Sequence, residues 1–132
     1  MITITDLVSI CDDRYAVNLG WFEALGSWVA DEPDPRRQRW FAVANHRHAW
    51  HADLWAKRRP AVPHDAEHRL PSPVAVTATA DRAEAYATFL DEELARIAAI
   101  RTASDAELDP ATHRLINLLE ADLADLRNRM PR

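Results

Sequence analysis

Apolar side chains recur every three or four positions along four stretches of the chain, and prolines interrupt the pattern between them. The first stretch, about 6–30, places Leu7, Cys11, Tyr15, Asn18, Phe22, Leu25 and Val29 on one face, as an amphipathic helix requires. Thr5 or Asp6 is its expected N-cap. The run "DEPDP" ends it, and Asp34 followed by Pro35 is a suitable cap and first-turn pair for a second helix over 35–59. The inner stripe of that helix is Phe41, Ala44, His48, His51 and Trp55. A third helix is predicted over 80–103, with Tyr86, Leu90, Glu93, Ile97 and Ile100 on one face. After the turn "SDAELDP", capped by Asp109, a fourth over 110–130 carries Thr112, Ile116, Leu119, Leu123 and Leu126. Residues 60–79, "PAVPHDAEHRLPSPVAVTAT", hold four prolines and predict a connection without helix.

The lengths of the connections carry topology. Two short turns imply antiparallel helix pairs, one with two and three with four. The segment 60–79 could extend about 60 Å at about 3.3 Å per residue, and a helix of twenty-five residues is only about 38 Å long. It can therefore cross the whole assembly, which predicts one all-α domain over 1–132: an antiparallel four-helix bundle with a long crossover between helices two and three. Composition agrees, because glycine occurs only twice in 132 residues while alanine, leucine and arginine are abundant.

A net charge of -5 argues against a nucleic-acid partner. Lys57, Arg58 and Arg59 fall at a predicted helix C-terminus, where cations suit the helix dipole. The single Cys11 cannot close an internal disulfide, which predicts a reducing, cytoplasmic setting. No apolar run reaches membrane-spanning length, and the first residues lack the form of a signal peptide. No glycine-rich phosphate loop, nucleophile elbow or Cys-x-x-Cys is present, and Ser9, Ser27, Ser72 and Ser104 have no local base.

Polar residues on inner stripes need a reason, because burial without a partner is costly. Each predicted helix has one: Asn18 near Tyr15 on the first, His48 and His51 on the second with Asn45 three residues earlier, Glu93 on the third, and Asp122 toward the edge of the fourth. One reading makes these satisfied core groups, each histidine bonded to a neighbour such as Glu93, Asp122 or Tyr15. A contact between histidine and Glu93 would also relieve the buried carboxylate. The other reading is metal ligation. His46 falls on the opposite side of its helix and faces solvent. His64 and His68 in "HDAEH" would share a face only in a helix, and two ligands do not close a zinc site.

The stretch "LGWFEALGSWVADEPDP" followed by "NHRHAWHADLW" resembles the first helix pair of small bacterial ferritin-like proteins. The resemblance covers residues 7–59; the last two helices match in length and stripe pattern. In the di-iron branch, two helices each supply a Glu and two supply Glu-x-x-His. Carried across, the helix-one glutamate becomes Asn18, with Glu23 at the stripe's edge. The first Glu-x-x-His becomes Asn45-x-x-His48, Glu93 matches the helix-three carboxylate, and Asp122 fits the fourth helix better than Glu120. The resemblance thus implies a degenerate metal site of His48, His51, Glu93 and Asp122, with Tyr15, Asn18 and Asn45 around it, holding iron or no metal.

Three functions compete: a metal-free binding or scaffold protein, placed first because two expected glutamates are absent; an iron-dependent oxidoreductase with a reduced ligand set; and a metal-free enzyme using a His–carboxylate pair as general acid and base. Trp28, Trp40, Trp50 and Trp55 can serve as core area and amphipathic edges. By helical phase Trp50 points away from the histidines and Trp21 is marginal to its own stripe. Both are candidates for a partner or homodimer surface. A small molecule or another protein is the expected partner class.

Overall fold

The structure is a computed structural model and describes residues 2–62, 70–76 and 78–132. It is all-α, with four helices and no strand among the described residues, consistent with a four-helix bundle: α1 (Ile4–Asp31), α2 (Pro35–Arg58), α3 (Arg82–Ala103) and α4 (Pro110–Asn128). A 3-10 turn, Thr79–Asp81, leads into α3. No helix among the described residues is long and apolar enough to cross a membrane. His64 and His68 lie outside the described residues.

The helix ends follow the capping chemistry, with one correction. Asp34 and Asp109 cap α2 and α4, each accepting a backbone N–H of the first turn and each followed by proline. The cap of α1 is Thr3, upstream of the expected Thr5 or Asp6. The Thr3 hydroxyl accepts the Asp6 N–H at 3.0 Å while the Asp6 carboxylate accepts the Thr3 N–H at 3.2 Å, a reciprocal capping box. Asp6 is therefore the third helical residue, and its carboxyl pKa is lowered by the Thr3 hydroxyl and then by the Thr3 backbone.

The predicted inner stripes of α2, α3 and α4 are buried at every position. That of α1 is rotated. Arg14, Trp21 and Trp28 are buried where Tyr15, Phe22 and Val29 were expected, while Phe22 is exposed and the other two are half-buried. The true stripe, Leu7, Cys11, Arg14, Asn18, Trp21, Leu25 and Trp28, alternates steps of four and three, the spacing of a coiled-coil seam. Trp21, expected at the margin, stacks on Phe89 with ring centroids 4.6 Å apart and meets Trp28 edge-on at 5.9 Å. Such pairing of aromatics stabilises beyond the area they bury.

Both glycines lie where another group needs the space. A Cβ on Gly20 would stand 1.7 Å from the Ser72 carbonyl oxygen. There the connection lies directly on α1, and the Ser72 N–H donates to the Ala16 carbonyl at 2.9 Å. Val74 and Val76 follow and pack against the core. At Gly26 a Cβ would stand 2.9 Å from the Asn45 amide nitrogen, which donates to the Phe22 carbonyl. Absence of a side chain at these two positions lets other groups reach the helix backbone.

Candidate functional site

His48 is fully buried, and both of its ring nitrogens are occupied by protein. On one side Nδ1 is 2.8 Å from Asn18 Oδ1; on the other, Nε2 is 2.7 Å from the Tyr86 hydroxyl. The tautomer follows from the next link. Asn18 Nδ2 donates to the Arg14 carbonyl at 2.7 Å, and a carbonyl can only accept. The Asn18 oxygen must therefore face His48, so Nδ1–H is the donor and Nε2 accepts the Tyr86 O–H. Burial first, and His51 nearby, hold the His48 pKa well below its usual value and keep the ring neutral. Burial, with the charge of Asp122 adding to it, pushes the Tyr86 phenol well above its ordinary pKa.

His51 sits edge-on to His48, with ring centroids 5.3 Å apart. Its Nε2–H donates to Asp122 Oδ2. The other Asp122 oxygen accepts Arg47 Nη1 at 2.9 Å, and the same nitrogen reaches Asp125 at 2.6 Å. Asp122 is less enclosed than His51, with 17 % of its side chain exposed against 1 %.

Glu93 belongs to a different contact. Arg14 Nη1 donates to both carboxylate oxygens at 2.8 Å, and the two side chains are only 8 % and 3 % exposed. This corrects the expected histidine–Glu93 contact: a guanidinium from α1 already neutralises the carboxylate. The four expected ligands are thereby divided among three arrangements: Glu93 with Arg14, His51 with Asp122, and His48 in a neutral chain with Asn18 and Tyr86. Among the described residues, no group of three or more His, Cys, Asp or Glu side chains is placed to hold a metal ion.

The surrounding residues are partly reassigned. Asn18 does contact His48. Tyr15 is half-buried, and Tyr86 supplies the hydroxyl expected of it. Asn45 bonds to the Phe22 carbonyl of α1, and His46 is exposed as expected. Arg14, Arg47 and Tyr86 carry the interior polar contacts and were not among the expected site residues. Arg14 had one signal, its place in the four–three alternation. The Cys11 thiol is buried, and burial pushes its pKa up to about 11. Such a thiol is a poor nucleophile.

These residues do not fit a di-iron group. Such a centre needs carboxylates free to bridge two cations, whereas Glu93 already holds a cation and an amide occupies position 18. The His51–Asp122 pair retains acid–base capacity in principle, with Asp122 tied to Arg47. Comparison with protein-family models, with curated proteins and with solved structures finds no match for this chain.

Proposed function

We propose that the chain is a ferritin-like bundle that acts as a binding or scaffold protein, with an interior polar set that holds helices together and performs no catalysis. One observation carries this reading: protein groups occupy both nitrogens of His48 and both carboxylate oxygens of Glu93. The ferritin-like topology draws support from residue pairings. Asp12 meets Arg59 and the Val29 carbonyl meets Gln38, as antiparallel α1 and α2 require. Asp91 meets Arg127 and Ser104 meets His113, as antiparallel α3 and α4 require. Arg14 with Glu93 and Asp31 with Arg82 run α3 against α1, so α2 and α3 share a direction. Consecutive helices of one direction need a connection that crosses the bundle, the role given to 60–79. Trp50 and Leu118, each 40 % exposed, support a homodimer surface on α2 and α4.

The test is calorimetric titration of the full chain with Fe(II), Mn(II) and Zn(II), beside His48→Phe and Glu93→Gln, with oxygen uptake followed in the presence of Fe(II). The expected result is no stoichiometric binding that depends on either residue, and oxygen uptake equal to a buffer control. One metal equivalent that disappears in both variants would overturn the reading in favour of the oxidoreductase. For the dimer, sedimentation of Trp50→Glu should show a monomer where the parent shows a dimer.

A further inference from the structure

The outer end of α2 carries a cleft unlike the rest of this acidic protein. It encloses about 280 Å³ and is lined by Arg36, Arg39, Trp40 and Val43 of α2 and by Arg129 and Pro131 beyond α4. Three of the six lining residues are arginines and none is a carboxylate. Two of the three arginines already have an acid of this chain beside them. Asp34 caps α2 through the Arg36 N–H at 2.9 Å and stands 3.8 Å from Arg36 Nε. Asp125 accepts Arg129 at 2.7 Å and Arg47 at 2.6 Å. Arg39 is exposed and makes no ion pair or side-chain hydrogen bond among the described residues. Arg39, without an internal counter-charge among the described residues, leaves this spot able to attract an anion on a chain of net charge -5.

We propose that this cleft binds an acidic segment of a partner protein, a run of Asp or Glu carrying an apolar side chain. The carboxylates pair with Arg36 and Arg39, whose planar guanidinium forks match them bidentately. The apolar side chain seats against Val43 and Pro131, with Trp40 closing the floor. Trp40 is itself fixed, because its indole N–H donates to the Leu126 carbonyl at 2.8 Å and only 3 % of the residue is exposed. A small molecule suits the cleft less well. Small-molecule sites bury most of the ligand, whereas the Arg36 and Arg129 side chains are 68 % and 55 % exposed. The proposal rests on the binding-protein reading but not on the buried histidines.

The experiment is fluorescence anisotropy of the full chain with a short fluorescein-labelled peptide of glutamate and phenylalanine. Arg36→Glu with Arg39→Glu should weaken binding by about tenfold or more. Arg96→Glu with Arg114→Glu, the same charge change at exposed sites elsewhere, should leave the affinity within about twofold. No binding by the parent chain, or equal loss in the two double variants, overturns the proposal. So does equal affinity for a peptide with glycine in place of phenylalanine, which would show bare polyacid attraction. Displacement by inorganic phosphate at the peptide's own concentration range would mark a simple anion site and also overturn it. If the first double variant loses helicity by circular dichroism, Arg39→Gln repeats the test at an unpaired side chain, with about threefold weakening expected. Metal titration is unaffected by these variants, so failure here leaves the reading of the interior standing and the converse also holds.

Discussion

Arg14 and Glu93 meet as full charges between α1 and α3, whereas His48 is held neutral between α1 and α3 by Asn18 and Tyr86. Both contacts link α1 to α3, the second by way of His48 on α2, and both are buried, yet they respond to change in opposite ways. An ion pair taken out of water recovers its desolvation cost only through its partner, so the pair contributes little net stability and its breakage is severe. A neutral hydrogen-bond chain costs less to bury, and each link can be lost separately. The difference shows two ways in which a bundle interior can carry polar groups: an ion pair that depends on its partner, and a chain of neutral bonds.

The largest expected effect breaks the charged half. Arg14→Met leaves Glu93 buried and alone, and urea unfolding should show a loss of about 3–5 kcal/mol. Arg14→Met combined with Glu93→Leu should recover most of that loss or exceed the parent, because no charge is left behind. A double variant as unstable as the single one would mean that the pair does more than neutralise itself. On the neutral half, His48→Phe strands the Asn18 oxygen and the Tyr86 hydroxyl, and about 2–3 kcal/mol should be lost. Tyr86→Phe removes one link, with a loss of about 1 kcal/mol in the same measurement. A Tyr86→Phe penalty as large as that of Arg14→Met would erase the contrast.

The contrast also predicts a pH slope. The folded His48 pKa lies well below the unfolded value of 6.5, so below that value the unfolded chain binds a proton that the folded chain refuses. Stability from this group is complete above pH 6.5 and declines as pH falls toward the folded value. Urea midpoints measured from pH 7.5 down to about 5, above most carboxylate titration, should fall in the parent and fall less in His48→Phe. An equal slope in both would assign the effect to another group.

Much of the fold is legible in the sequence because three stripes have their apolar residues at regular spacing and two caps are Asp-Pro pairs. The stripe of α1 is misread for a physical reason. Arg14 breaks the expectation that charges face solvent, and with it excluded the period shifts by one residue to Tyr15, Phe22 and Val29. Once a carboxylate on another helix is available, the same arginine becomes an inner residue. The pairing of Glu93 with Arg14 instead of a histidine is set by which α1 side chain lies opposite α3. Spacing within one helix cannot state that. His51 with Asp122 was among the contacts the stripes allowed, whereas Asn18 was expected only around the site, and its bond to His48 was not among the partners named for the histidines.

Ala16 lies in mid-helix, so its carbonyl already accepts the Gly20 N–H of the helical ladder, and Ser72 uses the remaining lone pair. That gives the connection a clock of its own. Exchange of the Ser72 amide with deuterium requires only that the segment lift from α1, whereas amides buried in α1 and α4 wait for wider opening. The Ser72 rate thus measures detachment of the connection separately from unfolding of the helices. In Gly20→Ala, whose methyl occupies the Ser72 carbonyl position, that amide should exchange much faster while helical amides far from the notch change little.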